Sequence, residues 1–382
     1  MRCSSRFIAA TVAAAVSLVP LTVAARAGGA QPSLPPALAS FLAEEAHATV
    51  SDRETLLAGN PLVKLLEADP SKEIAVFGAI WVNAPRSLYV QQVKNIEQFE
   101  RGSGFRVTKR ISDPPRAEDF AALTISDEDF EDLKNCKIGD CVLKLDADGV
   151  QALRTEVDWR KPTAKAEAMA LFRRLALDYV KGYREGGNAR LGIHRDRERP
   201  TFVANELRSM IERLPRMGAE LPDLTRYLLD YPNATLKSST DFLYWQETQF
   251  GLRPTIRISH LVIDDGPRQT VVASKMLYAS HYFWTALELR VLLPDPARGP
   301  GFWLVTVNRS RSDGLSGFTG RVIRARVRSE VEDGTRGALT ATKARLEAKD
   351  MTPRESRDAH RARAFISPPP LFPAPAVSKP TH

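Results

Sequence analysis

The chain has 382 residues, 43% hydrophobic and 26% charged, which is enough for one large folded core or two small ones and excludes a disordered polymer. Its formal charge of +8 falls to +5 when Arg2, Arg6 and Arg26 are set aside (8 − 3), and the excess gathers towards the C-terminus. So modest an excess does not point to nucleic acid as a partner.

Residues 1–27 have the parts of a secretory signal: Arg2 and Arg6, an uncharged Ala/Val/Leu-rich run over 7–25, and Ala25-Arg26-Ala27 as the cleavage site. The expectation is a periplasmic or secreted protein cleaved near Ala27. An uncleaved anchor is the competing reading of that run. Cys136 and Cys141 are the cysteines beyond that segment, and they flank a Gly139-Asp140 turn. In an oxidising compartment two thiols so close are expected to form a disulfide that pins the turn. Their spacing is not C-x-x-C, which argues against a redox pair, and no histidine is near enough for a zinc site.

A linker and two short helices, at 37–48 and 55–68, occupy residues 28–71, with Ser51 or Asp52 as N-cap of the second. Residues 72–84 read as a strand, since Ile74, Val76, Phe77, Ile80 and Val82 are β-formers. Pro85 then opens a helix to about Phe99, a second strand spans 105–111, and Ser126 caps a short acidic helix to Leu133. A third short strand is expected at 141–145. Residues 146–250 change character to helix-period stripes, clearest in Ala168, Leu171, Leu175, Tyr179 and Tyr183. This block reads as a helical insertion or lid, with Trp245 and Tyr244 placed just before the returning sheet. Strands resume at Arg253, continue through 270–282 and 283–293, and end with 302–311. A long basic helix follows from about Phe318 to Leu346. Its apolar side is Phe318, Val322, Val331, Leu339 and Leu346, and arginines 321, 324, 326 and 328 form the other side. Residues 350–382 are polar and then Pro-rich, and read as a disordered tail.

The order strand, helix, strands, insertion, strands, long C-terminal helix resembles the START-like (SRPBCC, polyketide cyclase and lipid-transfer) helix-grip superfamily. Gly78-Ala79-Ile80-Trp81-Val82-Asn83-Ala84-Pro85 is similar to that family's opening strand and following helix, and 317–346 to its closing helix. The resemblance implies an α+β fold over 72–349: a curved antiparallel sheet gripping the last helix, with an apolar guest between them.

Candidate ligand-binding residues are His260 on an apolar strand face with Ile256, Ile258 and Val262; Tyr278, His281 and Tyr282 in an aromatic run; Trp245 at one cavity end; and Arg309 and Arg311 as an anion clamp. For each, core packing or an internal salt bridge competes with the ligand role. A Ser-His-Asp triad can be assembled on paper from Ser280, His281 and Asp313, but the absence of a G-x-S-x-G elbow and the opposite facing of adjacent strand residues argue against it. No P-loop, dinucleotide, H-E-x-x-H, EF-hand or haem motif occurs, so no cofactor is expected. The favoured partner is an apolar small molecule or lipid, with peripheral membrane contact through the basic C-terminal helix. A cyclase or hydrolase using His260 or His281 as general base, and an envelope interaction protein, are the alternatives.

Overall fold

The computed structural model describes residues 33–101, 104–237, 239–250 and 253–348. The expected signal segment and Pro-rich tail lie outside the described residues.

The chain opens with helices α1 (Pro36–Glu44) and α2 (Val50–Leu57), then strands β1 (Leu62–Leu65) and β2 (Glu73–Val82). Helices α3 (Arg86–Lys94) and α4 (Ile96–Phe99) lead to β3 (Phe105–Arg110). The helical block comprises α5 (Asp127–Leu133), α6 (Ala147–Glu156), α7 (Ala164–Gly186), a two-residue ribbon of β4 (Ile193–His194) and β5 (Thr201–Phe202), α8 (Val203–Ile211), α9 (Pro215–Glu220) and α10 (Pro222–Asp230). Five long strands follow: β6 (Ser239–Phe250), β7 (Arg253–Asp265), β8 (Thr270–Ala279), β9 (Phe283–Pro294) and β10 (Phe302–Ser312). Helix α11 (Gly317–Glu347) closes the described chain.

Eight strands form one antiparallel sheet in the order β1-β2-β10-β9-β8-β7-β6-β3, so the fold is α+β. Both faces are covered. One core cluster joins Phe77, Leu243, Trp245, Ile258 and Val262 to α1, α2 and the helical block. The second joins Ile80, Tyr244, Leu261 and Leu304 to α3 and α11. Every residue of β2 is buried, as expected of a strand with no solvent face.

Helix α11 rests on β2 and β1 through Val331, Leu339 and Leu346. It approaches so closely at Gly78 that a Cβ there would meet Leu339 Cδ1 and Thr335 Cγ2 at 2.8 Å. Lys343 Nζ donates to the Trp81 carbonyl at 2.9 Å, and the Asn83 N–H donates to Glu347 at 2.8 Å. Val322, expected on the apolar side, is 63% exposed.

Four local expectations need correction. The second helix starts earlier, because Thr49 and Asp52 form a reciprocal capping box, and it stops by Leu57. The next segment pairs with β2 as edge strand β1, so sheet pairing overrides its helical pattern. Residues 141–145 are not a strand; single bonds such as Cys141 N to Asp196 O and Lys144 N to Ser280 O hold them. Asp241 to Trp245 lie inside β6 rather than ahead of the sheet, and the helical block ends at Asp230. Cys136 and Cys141 stand at disulfide distance, with Cα atoms 4.5 Å apart.

Candidate functional site

The space between the sheet and α11 is small and charged. One cavity there measures about 80 Å³, beside Glu100, Glu288, Arg290 and Arg345. Arg290 pairs with Glu288 at 2.8 Å and Glu100 at 3.6 Å, and burial raises the Glu100 carboxyl above its ordinary range. The guanidiniums of Arg290 and Arg345 lie over the Phe99 ring at 5.3 and 4.6 Å. Drug-sized guests occupy cavities of about 300–1,000 Å³, and this cavity is well below that range.

On the opposite face, a cavity of about 510 Å³ opens between the β7–β8 surface and α6–α7. Ile256, Ile258 and Tyr278 form its floor, and Phe172, Leu175 and Tyr179 of α7 form its roof. Of the α7 stripe that the sequence displays, Ala168, Leu171 and Tyr183 are buried against the sheet, while Leu175 and Tyr179 are half-buried at the cavity; Phe172 and Val180 are buried beside them. Ala189, Arg190, Leu191, Gly192 and His194 form the rim, just after a turn at Gly187. Gly187 sets that turn: its φ is +57°, and a Cβ would lie 1.8 Å from the Tyr231 carbonyl oxygen.

Two polar atoms in the cavity wall lack partners, His194 Nδ1 and Tyr278 Oη. Their rings meet edge to face at 6.3 Å. Burial and the nearby Lys144 ammonium lower the His194 pKa to about 3, so the imidazole is neutral. Burial raises the Tyr278 phenol far above its ordinary value. Lys144 is not a free cation: its ammonium lies 3.0 Å from Asp196 and also contacts Asp313. A larger groove of about 790 Å³ runs along α8 and α10, but its arginines are engaged, Arg226 with Asp223 at 2.7 Å and Arg208 with Asp230 at 3.7 Å.

Of the seven ligand candidates read from the sequence, Tyr278 alone lines the 510 Å³ cavity. His260 is buried beneath the helical block. Its Nε2 lies 2.9 Å from Asp241 Oδ2 and its Nδ1 lies 2.8 Å from Tyr183 Oη. An ionised carboxylate only accepts, so Nε2 carries the proton and Nδ1 accepts from the tyrosine hydroxyl. Arg184 donates to the same carboxylate at 2.8 Å. This Asp241–His260–Tyr183 chain ties α7 to β6 and β7. His281 faces Asp129 at 3.1 Å, and Asp129 also binds Arg253 at 2.8 Å. Tyr282, at φ +60°, packs with the α11-side cluster. Trp245 donates its Nε1–H to the Asp119 carbonyl at 2.8 Å.

Arg309 and Arg311 are not available to clamp an anion. Both bind the buried Glu73 carboxylate, Arg311 Nε at 2.9 Å. Arg311 also reaches Glu206 of α8 at 2.7 Å, and Arg309 donates to the Glu67 carbonyl at 2.7 Å. Sequence reasoning missed His194 and Lys144. Lys144 is a single polar residue in an irregular segment and His194 ends a two-residue strand, so no period marks either.

Burial pushes the His260 pKa down to about 4, and the Asp241 carboxyl, held by the His260 N–H, falls to about 2. His194 and His260 are therefore neutral when folded and take up protons on unfolding below their ordinary 6.5. Stability should fall as pH drops from about 6.5 towards 4, by up to about 1.4 kcal/mol per pH unit for each imidazole. Urea denaturation at neutral pH and near pH 5 measures this, and equal stabilities at the two would contradict it.

Among the described residues, no helix is long and apolar enough to cross a membrane, and no group of His, Cys, Asp and Glu is arranged to hold a metal ion. No protein-family model, curated protein or solved structure matches the chain.

Proposed function

We propose that this is an exported, START-like protein that binds one lipophilic small molecule, and that the guest sits between the sheet and α7. The observation that carries the reading is the 510 Å³ cavity, whose floor and roof are mainly aliphatic and aromatic. Its volume suits a lipid-like or drug-sized molecule. Burial of apolar surface would supply the driving force, at roughly 25 cal/mol per Å². Tyr278 and His194 offer a guest unpartnered polar atoms, and Lys144, Asp146, Asp148, Asp178 and Arg190 also border the cavity.

The START-like assignment is supported by the element order. A first long strand, two helices and a strand precede the helical block, five strands follow it, and the first long strand pairs with the last. In this assignment α11 is the closing helix. Export is supported by the signal-like N-terminus and by the Cys136–Cys141 pair, which fits an oxidising compartment. Neither His260 nor His281 lines the cavity, so the geometry favours binding over general-base catalysis by those imidazoles.

Displacement of a fluorescent fatty-acyl probe by lipid extracts tests the reading. Saturable binding of one probe per chain is expected, with release by extract. No saturable binding, together with no small molecule extractable from protein purified from its own host, would overturn it.

A further inference from the structure

Among the described residues, five large hydrophobic side chains are exposed, and three of them gather in one region. Ile193 (37% exposed) and Phe202 (45%) are direct cross-strand partners in the β4–β5 ribbon. Ile138 (57%) sits on the Cys136–Cys141 loop, which docks on the segment beyond β4. The Gly139 N–H donates to Arg195 O at 2.7 Å, the Cys141 N–H donates to Asp196 O at 3.2 Å, and Asp140 bridges to Arg197.

Basic residues accompany this apolar surface. Residues 190–202 hold Arg190, Arg195, Arg197 and Arg199 against Asp196 and Glu198, a net of +2 (4 − 2). The Asp196 carboxylate is buried, 3.0 Å from the Lys144 ammonium and 3.8 Å from Arg197 Nε, so Arg190 and Arg199 are the exposed ribbon arginines clear of it. Arg190, Arg197 and Arg199 are exposed. Strand alternation gives β4 two roles: His194 turns into the cavity wall while Ile193 turns outward. Arg190 and Leu191 also line the cavity.

We propose that the β4–β5 ribbon, with the disulfide-closed loop beside it, docks on an anionic lipid bilayer and holds the cavity rim at that surface. The inference rests on the ligand-binding reading above, and it names the bilayer as the source or destination of the guest. Apolar tips flanked by arginines are the combination that binds an anionic interface. Hydrophobic insertion and electrostatic attraction each contribute, and salt weakens the second.

The experiment is vesicle flotation of the full chain with phosphatidylcholine vesicles, with and without phosphatidylglycerol. Binding to the anionic vesicles only is expected, weakening as salt rises. Ile193→Ser/Phe202→Ser and Arg197→Glu/Arg199→Glu should each reduce it at least about tenfold. These sites are exposed, so folding should survive. Every variant carries the same N-terminal segment, so differences among them report the ribbon. Arg321→Glu/Arg328→Glu on α11 should leave binding unchanged. Absence of binding to either vesicle, equal binding by the ribbon variants, or loss confined to the α11 variant would each overturn the proposal. The soluble probe separates the two claims: probe binding without vesicle binding sinks this inference alone, and vesicle binding without probe binding sinks the cavity reading.

Discussion

Glu73→Gln is expected to destabilise the protein by about 3–5 kcal/mol, the cost of leaving buried charge without its partner. Glu73 lies on fully buried β2, and its carboxylate is shared by the Arg309 and Arg311 guanidiniums of the neighbouring strand β10. An amide there loses the charge and turns an N–H₂ group towards guanidiniums that have no acceptor. Glu206 would still hold Arg311 at 2.7 Å, which keeps the loss from being larger. The urea midpoint at constant m measures the change. Replacing Glu73, Arg309 and Arg311 together by leucine and methionines should cost less than the single change, because a network removed whole leaves few orphans. A loss below about 1 kcal/mol for Glu73→Gln would show that the ion pairs are not formed as described.

The second large effect concerns ligand rather than stability. Gly182→Leu on α7 should lower probe affinity at least about tenfold, since the added side chain would fill part of the 510 Å³ cavity that Gly182 lines. A Cβ at Gly182 finds Arg190 Nε no nearer than 3.8 Å, an ordinary contact. Glycine within a helix costs about 0.5–1 kcal/mol relative to alanine, so the variant should melt no lower than the parent. Undiminished affinity with unchanged stability would place the guest elsewhere.

How far the fold could be read beforehand follows from the physics of each element. Strands β2, β7 and β10 are rich in branched and aromatic residues, and α7 carries a long apolar stripe, so both kinds of element were legible. The partner of each strand face was not. Ile256, Ile258, His260 and Val262 do share a face of β7, as their alternation says, but that face meets the helical block and not α11. A sheet covered on both sides has no polar face, so period-two patterning cannot say which layer lies on which side. The same blindness leaves Arg309 and Arg311 poised between an anion clamp and an internal salt bridge, with no sign in the sequence that Glu73 is their partner. Glu73 opens β2 far away in sequence, and only the pairing of β2 with β10 brings the three together. The cavity itself depends on how α7 lies across β7 and β8, which no local pattern encodes.

The most direct test is native mass spectrometry of the intact protein from its own host, beside Gly182→Leu prepared in the same way. The parent is expected to carry one apolar molecule that leaves on collisional activation, with the variant largely free of it. An unliganded parent, or an identical adduct on both proteins, would contradict a guest between the sheet and α7.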